Sequence, residues 1–168
     1  MFRKFWSKVV IFFLGGVLGT VFGVALGFFF FPYVFPPPPA AEQLTEADRS
    51  PLIATGGFIH VNPYDPVHWG RGKVTVYERT VFLEANFEVG PGPKYHVYLV
   101  PKAGVRNEAD VNNAKPVDLG QLRSFQGSQR YPIPAGLNLK DYPSVVIWCE
   151  AFGVLISPAD LMPAGPAI

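Results

Sequence analysis

From Val9 to Phe31 the chain reads VVIFFLGGVLGTVFGVALGFFFF, 23 residues without a charge. A helix rises about 1.5 Å per residue, so this run reaches about 34 Å and spans a hydrocarbon core of about 30 Å. It predicts a transmembrane helix over 9–31. Arg3, Lys4 and Lys8 precede the run, and the first charge after it is Glu42. That asymmetry predicts residues 1–8 in the cytoplasm and everything beyond Phe31 outside it, in a periplasmic or extracellular space. Trp6 at one end, and Tyr33 and Phe35 at the other, suit the two membrane interfaces. A cleaved signal peptide would carry an apolar region of about 7–15 residues followed by a small-x-small site. Here the run is longer, and Pro36–Pro39 fill the place of that site. The expectation is an uncleaved, single-pass anchor in the cell membrane.

Inside the run Gly15, Gly19, Gly23 and Gly27 recur at four-residue spacing. On a helix they form one ridge without side chains, widened by Gly16 and Thr20, on which a second helix can pack closely. Self-association of the anchor into a homodimer is one expectation. The other is that glycine is simply frequent in membrane helices.

The next segment, FPPPPAAEQLTEADRSP, opens on four consecutive prolines. Polyproline is extended and makes no hydrogen bonds of its own, so residues 32–55 read as a stiff stalk. Proline totals 18 residues in 168, about twice the usual share of roughly 5%. Many prolines imply loops and strand edges rather than long soluble helices.

From 56 to 162 the apolar residues alternate with period two. Val74 and Val76 share a face; after a reversal at Glu78 and Arg79, so do Val81, Leu83, Ala85 and Phe87. Tyr95, Val97 and Leu99 lie opposite His96 and Tyr98. SVVIWCEAFGVLI, residues 144–156, reads as one or two strands bent near Gly153. Turn clusters such as NPYDP, GPGP and RNEADVNNAKP separate the strands. The pattern predicts an all-β unit, an antiparallel sandwich or barrel-like domain of about seven strands, with a short tail at 163–168.

Composition narrows the function classes. Net charge is +1; without Arg3, Lys4 and Lys8 the 14 basic residues fall to 11 against 13 acidic ones, leaving −2. No basic patch is visible, and nucleic acid is not an expected partner. One cysteine allows neither an internal disulfide nor a Cys-x-x-Cys. Ser144 and Ser157 have no base placed near them, and Glu84, Glu88 and Glu150 are scattered. No catalytic set, and no enzyme, is expected.

The segment VDLGQLRSFQGSQRYPIPAGLNLKDYPSVVIWCEAFGVLISPADL resembles the second half of the DM-thirteen domain family, an extracytoplasmic all-β module. Leu119, Gly120, Gly127, Gln129, Tyr131, Ile133, Pro134, Tyr142, Val146, Ile147, Trp148, Cys149 and Phe152 carry the likeness. Upstream, GGFIH, His68 with Gly72, and GPKYHVYLV resemble its earlier elements. Lys94 stands where an aspartate is usual, which leaves in question any role resting on that carboxylate, such as holding a cation. The resemblance implies the fold and an electron-transfer role for the single cysteine.

Cys149 is therefore the candidate redox residue, with Trp148, His68 and Gln129 as possible neighbours. On a strand it shares a face with Val145, Ile147 and Ala151, while Trp148 shares the other with Val146, Glu150 and Phe152. Those surroundings favour a buried, inert thiol. One thiol cannot run a dithiol cycle alone; it needs a partner sulfur, a sulfenic acid or a metal. His60, His68 or His96 with Cys149 and Met162 would supply a copper ligand set, but no histidine follows Cys149, and no haem-attachment motif occurs. No cofactor and no metal is expected. Two functions stand: a non-enzymatic module binding an envelope partner or ligand through its loops, or a redox protein using Cys149.

Overall fold

The structure, a computed structural model, describes residues 2–49 and 51–165. Met1 of the expected cytoplasmic segment, Ser50 of the expected stalk and residues 166–168 of the expected tail lie outside the described residues. The chain divides into two compact units, one ending at Phe35 and the other beginning at Pro36.

The first unit is one helix, α1 (Phe2–Val34), which contains the expected 9–31. Its stretch Trp6–Val34 has a mean hydropathy of 2.5 and is long and apolar enough to cross a membrane. Pro32 is tolerated in the final turn, and Phe35 N–H still reaches the Phe31 carbonyl at 2.8 Å. The prolines that follow have no N–H to continue the ladder, and the helix ends.

The second unit is built from β1 (Ala40–Ala41), β2 (Leu52–Phe58), β3 (Gly70–Arg71), β4 (Lys73–Tyr77), β5 (Thr80–Leu83), β6 (Glu88–Val89) and β7 (Tyr95–Val100). A short helix α2 (Glu108–Asn112) precedes β8 (Val117–Gln121), β9 (Gly127–Pro132), β10 (Ser144–Cys149) and β11 (Val154–Pro163). Nine strands form one sheet in the order β1-β9-β5-β4-β2-β11-β10-β7-β8, and β3 pairs with β6 separately. The unit is all-β in character, but the expectation of about seven antiparallel strands is corrected. Its nine-stranded sheet is curled into a half-barrel, and is mixed because β1 runs parallel to β9. A sandwich and a curled sheet bury the same alternate residues, so alternation cannot separate them. Strands of two residues leave no periodic signal at all.

One core fills the concave face, with Val74, Val76, Val81, Leu83, Val97, Leu99, Val145 and Ile147 all essentially inaccessible. Each such side chain contributes about 1.5–3 kcal/mol relative to exposure. A second cluster on the convex face joins Val146, Trp148 and Leu155 to Val100, Val105 and Val111. Val111 comes from α2, whose start is fixed by a capping box: Asp110 N–H donates to Asn107 Oδ1 at 3.1 Å, and Asn107 N–H to Asp110 Oδ2 at 3.3 Å. Because α2 and its loop cover that face, all six residues of β10 are buried. The unbroken apolar run SVVIWC follows from burial on both sides.

Part of the segment expected as a stalk lies along β9. Ala40 N–H donates to the Gln126 carbonyl at 2.8 Å, and Glu42 N–H to the Ser128 carbonyl at 3.0 Å. Ser124 Oγ donates to the Pro38 carbonyl at 2.8 Å, and the Glu42 carboxylate receives Arg123 Nε at 2.7 Å. An extended segment is equally ready to be solvated or to pair with a sheet edge.

Candidate functional site

The local geometry around the cysteine is set by a hairpin. β10 stops at Cys149, and residues 150–153 turn the chain into β11. Gly153, at φ +65°, supplies the left-handed residue of that turn, and its N–H donates to the Cys149 carbonyl at 2.8 Å. Ala151 and Phe152 are therefore turn residues rather than strand positions, and Phe152 is 59% exposed.

Pairing with β7 places Tyr95 opposite Cys149 and His96 opposite Trp148. Opposed residues share a face, so the thiol and Tyr95 point into the concave core while Trp148 and His96 point out on the convex side. The faces expected for Val145, Ile147, Val146, Cys149 and Trp148 are those observed. Cys149 is 2% exposed. Its Sγ–H donates to the Pro93 carbonyl at 3.3 Å. Burial pushes the thiol pKa up from its ordinary value, with the backbone N–H groups of Phe152 and Ala151 pulling weakly against it. Such a sulfur stays protonated and is a poor nucleophile. The loop carrying Pro93 is packed closely: a Cβ on Gly92 would lie 2.1 Å from the Tyr95 hydroxyl.

The convex side carries a polar cluster beside the indole. Trp148 stacks on Tyr98 with centroids 6.5 Å apart. Tyr98 OH donates to Glu150 Oε1 at 2.9 Å, and Lys94 Nζ lies 3.1 Å from Glu150 Oε2. His96 Nδ1 sits 2.9 Å from Asp118 Oδ2, and its Nε2 lies 3.5 Å from Glu150 Oε2. Lys94 adopts a left-handed backbone at φ +52°, and its carbonyl accepts Glu150 N–H at 3.1 Å. The Lys94 ammonium and the Tyr98 hydroxyl hold the Glu150 carboxyl below its usual pKa. Burial, then the Glu150 carboxylate, pushes the Tyr98 phenol up. His96, Asp118 and Glu150 bring one ligand atom each within 4.8 Å of one another, a group able to hold a metal ion among the described residues.

The other expected residues lie elsewhere. His68 closes a loop: Asp65 Oδ1 accepts the N–H groups of Val67 at 2.8 Å and His68 at 3.0 Å, and Asp65 Oδ2 faces His68 Nδ1 at 2.7 Å. Those contacts lower the Asp65 pKa to about 2. His60 Nε2 lies 2.8 Å from the Asp65 carbonyl in the same loop. Gln129, fully buried, brackets the connection between β8 and β9: its Oε1 accepts Arg123 N–H, Ser124 N–H and Tyr131 OH, and its Nε2 donates to the Ser124 carbonyl. No hydrogen bond of His68 or Gln129 reaches the sulfur. Of the copper ligands weighed from sequence, His96 points to the face opposite Cys149 and Met162 is 67% exposed on β11.

Sequence reading missed the convex cluster. Alternation put His96 and Tyr98 on one face, but only the β7–β10 and β7–β8 registers bring Trp148, Glu150 and Asp118 to them. At another place on the β unit an apolar cleft of about 410 Å³ opens between Leu52, Ile53, Leu139, Tyr142 and Leu161.

Compared with known proteins, one family matches: the family described as electron transfer DM13 covers residues 64–161. No curated protein and no solved structure matches the chain.

Proposed function

The chain belongs to the electron transfer DM13 family, a premise that ties its function to the surroundings of Cys149, and we propose that it is a membrane-anchored, extracytoplasmic binding module in which that thiol packs the core. The observation carrying this reading is the sealed sulfur, 2% exposed, hydrogen-bonded to Pro93 and raised in pKa. Thiol exchange needs a thiolate in line with an incoming sulfur, and both conditions are opposed here. Binding through loops draws support from two aromatic side chains held out at turns, Tyr64 at 95% exposure and Phe152 at 59%. The apolar cleft beside Tyr142 offers a second surface of ligand size. The anchored, outward-facing placement rests on the apolar helix and on the cations that precede it.

A second reading, electron transfer through Cys149, is favoured by the family description and by the Trp148–Tyr98 stack one residue from the sulfur. Maleimide labelling of the folded, full-length chain in detergent separates the two. The binding reading expects protection at neutral pH, full labelling only in denaturant, and a Cys149→Ala variant that loses about 1–3 kcal/mol of stability and no partner binding. Rapid labelling of the native chain, or a redox-active chromophore purified with it, would transfer the function to the sulfur.

A further inference from the structure

We propose that His96 Nε2 and Glu150 Oε2, with Asp118 behind the imidazole, form a site for a divalent transition-metal ion of the zinc type, closed in the metal-free chain by the Lys94 ammonium. The tautomer comes first. His96 Nδ1 lies 3.0 and 2.9 Å from the two Asp118 oxygens, so Nδ1 carries the hydrogen and donates it. In a neutral ring this leaves the lone pair on Nε2. That lone pair faces a carboxylate oxygen, Glu150 Oε2, at 3.5 Å. The pair is too far apart for a good hydrogen bond, and with the ring neutral the lone pair and the carboxylate repel unless a cation lies between them. With metal–ligand bonds of about 2.0–2.1 Å, two corners of a tetrahedron stand about 3.4 Å apart. The observed separation fits that edge.

The ligands are already supported. Asp118 Oδ1 accepts Gly120 N–H at 2.8 Å, and Glu150 Oε1 is held by Tyr98 OH at 2.9 Å, which leaves Oε2 for the ion. A carboxylate behind a ligating imidazole fixes the ring and raises its basicity. The His96 side chain is 14% exposed and that of Glu150 26%, so the site is half-shielded and open to entry. Lys94 Nζ sits 3.1 Å from the same Oε2 on a side chain 59% exposed, free to swing away when a stronger cation arrives. Imidazole with carboxylate selects zinc, copper or nickel over magnesium and calcium. Water completes the coordination. The site lies on the face opposite Cys149, so it stands whether that thiol packs or reacts.

The test is calorimetric titration of Zn²⁺ into the untagged full-length chain in detergent micelles at neutral pH, alongside ¹⁵N spectra of the histidine rings. We expect saturable uptake of one ion per chain, displacement of the His96 ring resonances, and no uptake of Mg²⁺. His96→Gln should weaken binding by at least about tenfold, and Lys94→Ala should tighten it by about the same factor. Cys149→Ala should leave it unchanged. Failure of the native chain to take up the ion would overturn the proposal, because the position between the two groups would then belong to a proton. Ring shifts confined to His60 and His68, or unchanged affinity in His96→Gln, would overturn it as well. The ring spectra of the native chain decide the matter even if a variant fails to fold.

Discussion

Gln129 shows how one buried polar side chain can govern a connection. Its amide makes three hydrogen bonds to the segment joining β8 to β9 and accepts a fourth from the Tyr131 hydroxyl, in a place without solvent. Gln129→Leu should cost about 3 kcal/mol or more, because two backbone N–H groups and a phenol lose their acceptor at once. Tyr131→Phe should cost only about 1 kcal/mol, since it removes one donor and leaves the amide satisfied. The same environment raises the Tyr131 phenol to about 12, chiefly by burial, with the Arg123 guanidinium opposing from 4.5 Å over the ring. Chemical denaturation of the two variants checks the ratio. Asp65 supplies a pH signature. Its folded pKa of about 2 lies below the ordinary 3.8, so its contribution is full above 3.8 and lost as pH falls through 2. Melting curves between those limits should fall less steeply for Asp65→Asn than for the native chain.

At the scale of elements, the parallel pair β1–β9 hinges on one glycine. Gly127 has φ +85°, and a Cβ there would stand 2.0 Å from the Ala40 carbonyl oxygen. Gly127→Ala should break that pairing, cost about 1–3 kcal/mol, and open the chain near Ala40–Glu42 to limited proteolysis. An undamaged fragment pattern would show that β1 can shift without loss. The element-level alternation was legible: Val74, Val76, Val81, Leu83, Tyr95, Val97 and Leu99 reach the core as their spacing predicts. β1, β3 and β6 were not legible, since a strand of two residues is defined only by its partner. The turn after Cys149 was half legible, Gly153 marking a bend without showing that Ala151 and Phe152 leave the strand.

For the whole molecule, the long apolar helix predicts that the chain stays in the membrane fraction after alkaline extraction, with its first residues intact. Recovery of a soluble chain beginning near Ala41 would remove the anchor. The glycine ridge leads to a further expectation. Added Cβ atoms at Gly15, Gly19, Gly23 and Gly27 would meet nothing within 4 Å, so the ridge is open to a second helix. Gly19→Leu with Gly23→Leu should weaken self-association in a membrane two-hybrid assay, and unchanged dimerisation would dismiss the ridge as an interface.

Hydrophobic length and period-two alternation are local properties, and the sequence alone determined what depends on them: an apolar helix, a β unit after it, and the faces presented by residues 95–99 of β7 and 145–149 of β10. The family likeness across the β unit was equally local, carried by short strings such as VVIWC. Only the tertiary structure decided which strands are neighbours. The union of His96 from β7, Asp118 from β8 and Glu150 from the turn after β10 depends on registers between segments tens of residues apart in the chain. Loop closure and the curl of the sheet set those registers, and neither leaves a periodic mark on the residues it joins.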